Sequence, residues 1–214
     1  MIPNLNCMVR AIILITPLLL SSCVTLERAS DPVQLEAGNL MHQTPCKRTS
    51  EMPKHMRMDH YRAPTPHCAP NGVTLNTQQL VQLMQQTPQL LLIDVLSILS
   101  RPNTEFGETK WLPNKSRNSL PDSVWLPNVG YGTLDEEMDG YFRHQLKRLS
   151  KGGTHQPIVF FCIADCWMSW NALQRASIYG YTNLYWYKNG TDGWEENGLS
   201  TQIIVPVPLK AIQD

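Results

Sequence analysis

Pro157-Ile-Val-Phe-Phe-Cys162-Ile-Ala-Asp-Cys166-Trp167-Met-Ser-Trp-Asn-Ala-Leu-Gln-Arg175 decides the fold. Four apolar residues, Ile158 to Phe161, run without a polar break into Cys162, as a buried strand does. Cys166 follows four positions later, and a helical pattern starts directly after it. Strand, short loop and helix place sulfur at a helix N-terminus. Unpaired backbone N–H groups and the positive end of the helix dipole favour a thiolate there. The arrangement suits sulfur chemistry better than packing.

The same alternation extends outward. Val73-Thr-Leu75 reads as a short strand, and Thr77 as the cap of a helix reaching about Gln86 with Leu80, Val81 and Met84 on one face. Leu90 to Leu96 is a buried strand containing Asp94. Arg101 to Asp122 is rich in Pro, Asn and Ser and reads as loop. The turn Leu120-Pro-Asp-Ser leads into a strand over Val124-Trp-Leu126. Leu134 to Leu149 is an amphipathic helix, with Met138, Tyr141, Phe142, Leu146 and Leu149 on one face. After the central strand, a helix runs from Met168 to Tyr179 and ends at Gly180. A last strand, Asn183 to Tyr187, precedes a turn at Asn189-Gly190. Strands alternating with helices predict an α/β domain with a central parallel sheet flanked by helices.

The chain has 214 residues, 42% hydrophobic and 17% charged, enough for one domain with a core plus extra segments. Formal net charge is zero, which gives no electrostatic footprint for nucleic acid. At the N-terminus, Arg10 precedes a short apolar run and then Ser21-Ser22-Cys23. That is the pattern of a secretory signal, too short for a transmembrane helix. Leu20-Ser-Ser-Cys23 resembles a bacterial lipobox, whose cysteine is lipidated. Plain periplasmic secretion and a retained anchor are the alternatives. Val24 after the cysteine resembles lipoproteins of the outer membrane, so a periplasmic protein lipid-anchored there is expected. The division is 1–23 signal peptide and lipobox, 24–71 tether and irregular N-terminal arm, 72–214 folded domain.

Export leaves Cys46, Cys68, Cys162 and Cys166 in an oxidising compartment. Two disulfides are then the simplest outcome, and locality favours Cys46–Cys68 and Cys162–Cys166, although three connectivities are open.

The landmarks resemble a known family. Leu-Leu-Leu-Ile-Asp94-Val, Leu120-Pro-Asp-Ser-Val-Trp-Leu-Pro127, Ile158-Val-Phe-Phe-Cys162, Gly180-Tyr-Thr-Asn-Leu-Tyr and Asn189-Gly-Thr-Asp-Gly-Trp194 are similar, in order and spacing, to those of rhodanese-like domains over about residues 72–200. Tyr61-Arg-Ala-Pro-Thr-Pro66, Trp125 to Gly132, Ala164 to Asn171 and Trp186 to Trp194 resemble the exported, CXXCW-labelled members associated with PQQ-dependent alcohol catabolism. The spacing here is C-x-x-x-C-W.

The resemblance implies that Cys162 is the nucleophile, a sulfur carrier or thiol-redox centre. Cys166 would be the resolving thiol, and Ile163, Ala164, Asp165, Trp167, Met168 and Ser169 would form the substrate-binding loop. The loop contains no Arg or Lys, Asp165 is acidic, and Leu96 stands where the family motif has Arg, so thiosulfate is expected to be a poor substrate. Asp94, at the same sheet edge as Cys162, is read as orienting loop amides or as a polar strand-end cap. Trp167 and Trp170 are read as flanking an exposed loop mouth, or as core at helical spacing. Ser169 and Asn171 are read as helix caps. Trp111, Arg117 and Trp125 lie in a segment expected to cover the loop. In the arm, Met52, His55, Met56, Met58, His60, His67 and Cys68 are soft donors suited to copper, but a basic solvated tether explains them too. No metal and no tightly bound cofactor are expected, only a functional association with PQQ. A periplasmic quinoprotein dehydrogenase or cytochrome c is the expected partner. The alternative reading is an inactive domain that binds such a dehydrogenase, a cytochrome c or PQQ.

Overall fold

The structure, a computed structural model, describes residues 46, 49, 52–103, 108–111 and 116–209. The signal segment and Cys23 lie outside them. The elements are β1 (Val73–Leu75), α1 (Thr77–Gln86), β2 (Leu91–Asp94), β3 (Ser100–Asn103), β4 (Glu108–Trp111), β5 (Arg117–Ser119), β6 (Val124–Trp125) and α2 (Glu136–Leu149), and then β7 (Ile158–Phe161), α3 (Trp167–Ile178), β8 (Leu184–Tyr187), α4 (Gly190–Glu196) and β9 (Gln202–Ile204).

The apolar run Ile158–Phe161 is the middle strand of a five-stranded sheet with order β1-β8-β7-β2-β6. Every pairing in it is parallel. Side chains alternate across the sheet. Ile158, Phe160 and Cys162 join Phe142, Trp170 and Leu173 in the core under α2 and α3. Val159 and Phe161 join Leu80, Leu83, Tyr187 and Trp194 in the core on the α1 and α4 side. A strand buried on both faces has no polar position, and that is why its sequence is continuous rather than alternating. The outer edge of β6 is covered by the chain's own tail: Trp125 bridges Pro206, and Val207 N donates to Trp125 O at 2.9 Å.

Helix α2 buries the expected stripe, with Tyr141, Phe142 and Leu146 at 0% exposure. Helix α1 has the expected span, but its cap is Asn76 rather than Thr77. Asn76 Oδ1 accepts from Gln79 N at 2.9 Å, and Gln79 Oε1 accepts from Asn76 N at 2.8 Å. Asn76→Ala removes this reciprocal pair and is expected to cost about 1 kcal/mol. A urea midpoint indistinguishable from wild type would show that the cap contributes nothing.

Two readings differ from the structure and a third in part. Residues 101–122 are not all loop: β3 and β4 form an antiparallel hairpin, and β5 pairs with β9. A two-stranded ribbon has only edge strands, so Pro102 can sit in one. The partner of β5 lies far along the chain, beyond the reach of a local pattern. The turn at Asn189 is present but runs straight into a helix, with Asn189 as N-cap and Gly190 as the first residue of α4. Ser169 and Asn171 are not caps but lie buried inside α3.

The arm also differs from a solvated tether. Cys46 and Cys68 are joined by a disulfide. The described arm residues belong to the same compact unit as the sheet and its helices. Arg57 N donates to Asn171 Oδ1 at 2.9 Å, and Asn171 Nδ2 donates back to Arg57 O at 2.8 Å and to Gly130 O at 2.9 Å. One buried amide thus satisfies both backbone groups of an arm residue and ties it to α3.

Candidate active site

Parallel register sets Asp94 beside Phe161, so Asp94 and Cys162 leave the sheet at the same edge. The chain then turns through Asp165, which has φ of +52°, a left-handed conformation that Asp tolerates better than most residues. It enters α3 with Cys166 as N-cap, at φ −112° and ψ 113°. The loop leaves the sheet and returns within four residues, and this brings the sulfurs together: Cys162 Sγ donates to Cys166 Sγ at 2.6 Å. Both are free thiols, so the expected second disulfide is absent. The fold supplies proximity, whereas the bond needs a two-electron oxidant.

The two sulfurs are covered rather than exposed, since Cys162 is 0% exposed and Cys166 5%. The cover is the arm. Trp167 N donates to Tyr61 O at 2.8 Å, Ala63 N donates to Asp165 O at 3.0 Å, and Arg62 forms an antiparallel bridge with Cys166. Trp167 and Trp170 therefore do not flank a mouth. They are buried, packed edge to face at 5.6 Å, with the Arg57 guanidinium over Trp167 at 5.3 Å.

Asp94 is fully buried and holds no amide of the sulfur loop. Its Oδ1 accepts from Leu96 N at 3.0 Å, its Oδ2 accepts from Ser119 Oγ at 2.6 Å, and Arg117 Nε lies 3.2 Å from Oδ2. Burial raises the Asp94 carboxyl above the usual range, while the Arg117 charge and the two hydrogen bonds oppose that rise. The loop amide of Ala164 goes instead to Asp192 Oδ2 at 3.3 Å, a carboxylate that also pairs with Arg62 at 3.5 Å. Thr191 N donates to Cys162 O at 2.9 Å, and Arg117 Nη2 donates to Thr191 Oγ1 at 3.1 Å. Sequence reading missed the parts played by Asp192, Thr191 and Tyr61. A carboxylate just past Gly190, in the segment that closes on the loop, was the available signal for Asp192.

Trp111 and Trp125 serve the frame, with Trp111 Nε1 donating to Val207 O at 2.8 Å and Trp125 Nε1 to Leu96 O at 2.7 Å. Ser169 links the two sides of the site: its hydroxyl donates to Cys166 O at 3.1 Å and accepts from Trp186 Nε1 at 2.9 Å. Cys68 is consumed in its disulfide, and no group of three or more His, Cys, Asp or Glu converges among the described residues.

The two thiols differ electrically. Burial drives Cys162 well above the ordinary thiol value; its donation to Cys166 and the charges of Cys166 and Asp94 add to that, and the Ile163 amide alone opposes. Cys166 is lowered, first by the hydrogen bond from Cys162; burial opposes this, and the amides of Met168, Ile163 and Ser169 reinforce it. Cys166 is therefore the member of the pair that gives up its proton more readily, at the start of α3, where backbone N–H groups face it.

A family model described as the rhodanese-like domain matches residues 76–197. Solved structures are similar at low identity. A thiosulfate sulfurtransferase from Pseudomonas aeruginosa is 15% identical, with 61% of this chain and 20% of that chain covered and a TM-score of 0.40. The polysulfide-sulfur transferase homodimer of Wolinella succinogenes is 19% identical, covering 62% and 79%, with a TM-score of 0.36. A human single-domain sulfurtransferase is 19% identical, covering 57% and 95%, with a TM-score of 0.36. The chain thus spans only a fifth of the Pseudomonas protein's length. No curated protein sequence matches the chain.

Proposed function

Because the chain belongs to the rhodanese-like domain family, we propose that it is a sulfurtransferase or thiol–disulfide protein working through the pair Cys162 and Cys166. The observation that carries this is the contact of the two sulfurs, at 2.6 Å, where the central strand meets α3. With a persulfide donor R–S–SH, one cysteine thiolate attacks the outer sulfur, an S–S bond forms to the protein, and R–S⁻ departs. The second thiol then attacks the protein-bound cysteine sulfur, hydrosulfide leaves, and the pair ends as a disulfide. Two electrons pass from the dithiol to the sulfane sulfur. Asp165 is exposed and Asp192 pairs with Arg62, so the entrance offers a small anion such as thiosulfate little net attraction.

Leu20-Ser-Ser-Cys23 supports export and lipidation at Cys23, with outer-membrane anchoring in the periplasm. The matching segments Tyr61–Pro66 and Ala164–Asn171 support service to PQQ-dependent alcohol catabolism, with a quinoprotein dehydrogenase or cytochrome c as partner. In the second reading the domain is an inactive binding module, which the burial of both sulfurs under the arm favours.

Intact mass of the purified protein, before and after a persulfide donor, separates these. The expected result is transient gain of one sulfur atom in wild type, followed by loss of two hydrogens as the pair closes. In a Cys162→Ser or Cys166→Ser variant the closing step is lost and the protein-bound sulfur persists. A mass that responds to neither donor nor reductant would leave the binding module.

A further inference from the structure

The two cysteines are placed unequally in the fold, with Cys162 wholly covered and Cys166 at the start of α3. Cys162 closes the buried central strand, wholly covered, with its side chain in the core beside Phe160 and its carbonyl held by Thr191 N. It donates its hydrogen to Cys166. The Asp94 carboxylate acts against a charge on Cys162, while Arg117 is turned to Asp94 and Thr191. Cys166 is the N-cap of a 12-residue helix and the sulfur that accepts from Cys162. It also lies under the arm segment, bridged by Arg62, that an incoming substrate must displace. Of the two cysteines, Cys166 is the one paired with that bridge and the one that keeps some exposure, 5% against 0% for Cys162.

We propose that Cys166 makes the first attack on the substrate sulfur and Cys162 the second, from within the core. The inference rests on the reading of the pair as a working dithiol. With a small disulfide RS–SR, Cys166 sulfur forms a bond to one substrate sulfur, and the other leaves as RS⁻. The Cys162 proton passes to that departing thiolate. Cys162 sulfur then attacks Cys166 Sγ and expels the second RS⁻. One substrate S–S bond is broken, one Cys162–Cys166 bond is made, and two electrons move from protein to substrate. The closeness of Cys162 to Cys166 makes intramolecular closure the favoured exit from the mixed disulfide.

Cystamine tests the order on the reduced full-length chain, with adducts located by peptide mass. Cys162→Ser is expected to trap a stable half-cystamine adduct on Cys166, whereas Cys166→Ser labels Cys162 at least about tenfold more slowly. Wild type loses two hydrogens and keeps no adduct. A second measurement needs no variant: limiting iodoacetamide, quenched early, alkylates Cys166 before Cys162 in wild type. Labelling of Cys162 at an equal or faster rate in either experiment overturns the order and leaves a working dithiol intact. Failure of wild type to oxidise, together with failure of both variants to label, overturns the dithiol reading and the order with it.

Discussion

Arg117→Met is expected to destabilise the protein by about 3–5 kcal/mol at neutral pH, because it leaves the buried Asp94 charge without its partner. Both side chains are out of solvent, Arg117 at 12% exposure and Asp94 at 0%, so little screening discounts the pair. The methionine fills similar volume but supplies no charge. The loss carries a pH signature. Burial already raises the Asp94 carboxyl in the folded state above its ordinary 3.8, and Arg117 is the largest opposing influence. The folded protein therefore holds that proton more tightly than the unfolded chain. Stability falls as pH rises from the unfolded value to the folded one, then levels off. Without Arg117 the folded value moves higher and the falling window extends upward. The deficit of the variant should be small near about pH 4 and full near about pH 8. Urea midpoints across that range give the comparison, and a deficit independent of pH would mean that packing, not charge, explains the loss.

Gly190→Ala is expected to strike the sulfur loop directly, at the carbonyl of Cys162 and the backbone of Ile163. A Cβ there would lie 2.5 Å from Cys162 O, 2.6 Å from Ile163 C and 2.7 Å from Ile163 Cα, all of them backbone. Gly190 also has φ of +57°, where an L side chain adds its own strain. Neither the loop nor the start of α4 can yield without shifting the other, since Thr191 N binds Cys162 O. A stability loss of about 2–4 kcal/mol is expected from overpacking plus the left-handed backbone. Closure of the Cys162–Cys166 disulfide should slow at least about tenfold, as a misplacement on the order of 1 Å suffices for that. The rate of disulfide closure under a fixed oxidant, set beside the urea midpoint, reads both effects. Closure at the wild-type rate would mean that the loop does not depend on this contact.

The centre of the fold was legible because its signals are local. Ile158–Phe161 is apolar throughout, and the spacing from Cys162 to Cys166 is fixed by the chain. Asp94 could be placed at the same sheet edge because parallel strands align their ends. The cover of the site was not legible. Arg57 finds Asn171 across 114 residues, and the arm around it has neither a period-two nor a 3.6 pattern. Asn171 looked like a cap because Asn favours caps, yet its amide is spent on the backbone of Arg57 and Gly130. Arg117 stood in a Pro/Asn-rich stretch that reads as loop, and its partner Asp94 is reached only once β5 is pinned by β9. The difference between the two cysteines was hidden as well, since it depends on burial and on which amides face each sulfur.

The tail that covers β6 also governs how this protein can meet others. An open sheet edge is a template on which another chain can add a strand, and that is the usual start of intermolecular ladders. Here Pro206 and Val207 already occupy one edge of the main sheet, and β1 at the opposite edge is only three residues long. Self-assembly by strand addition is thereby discouraged. A partner is left to recognise side chains and loops, and at the sulfur pair it meets the arm first.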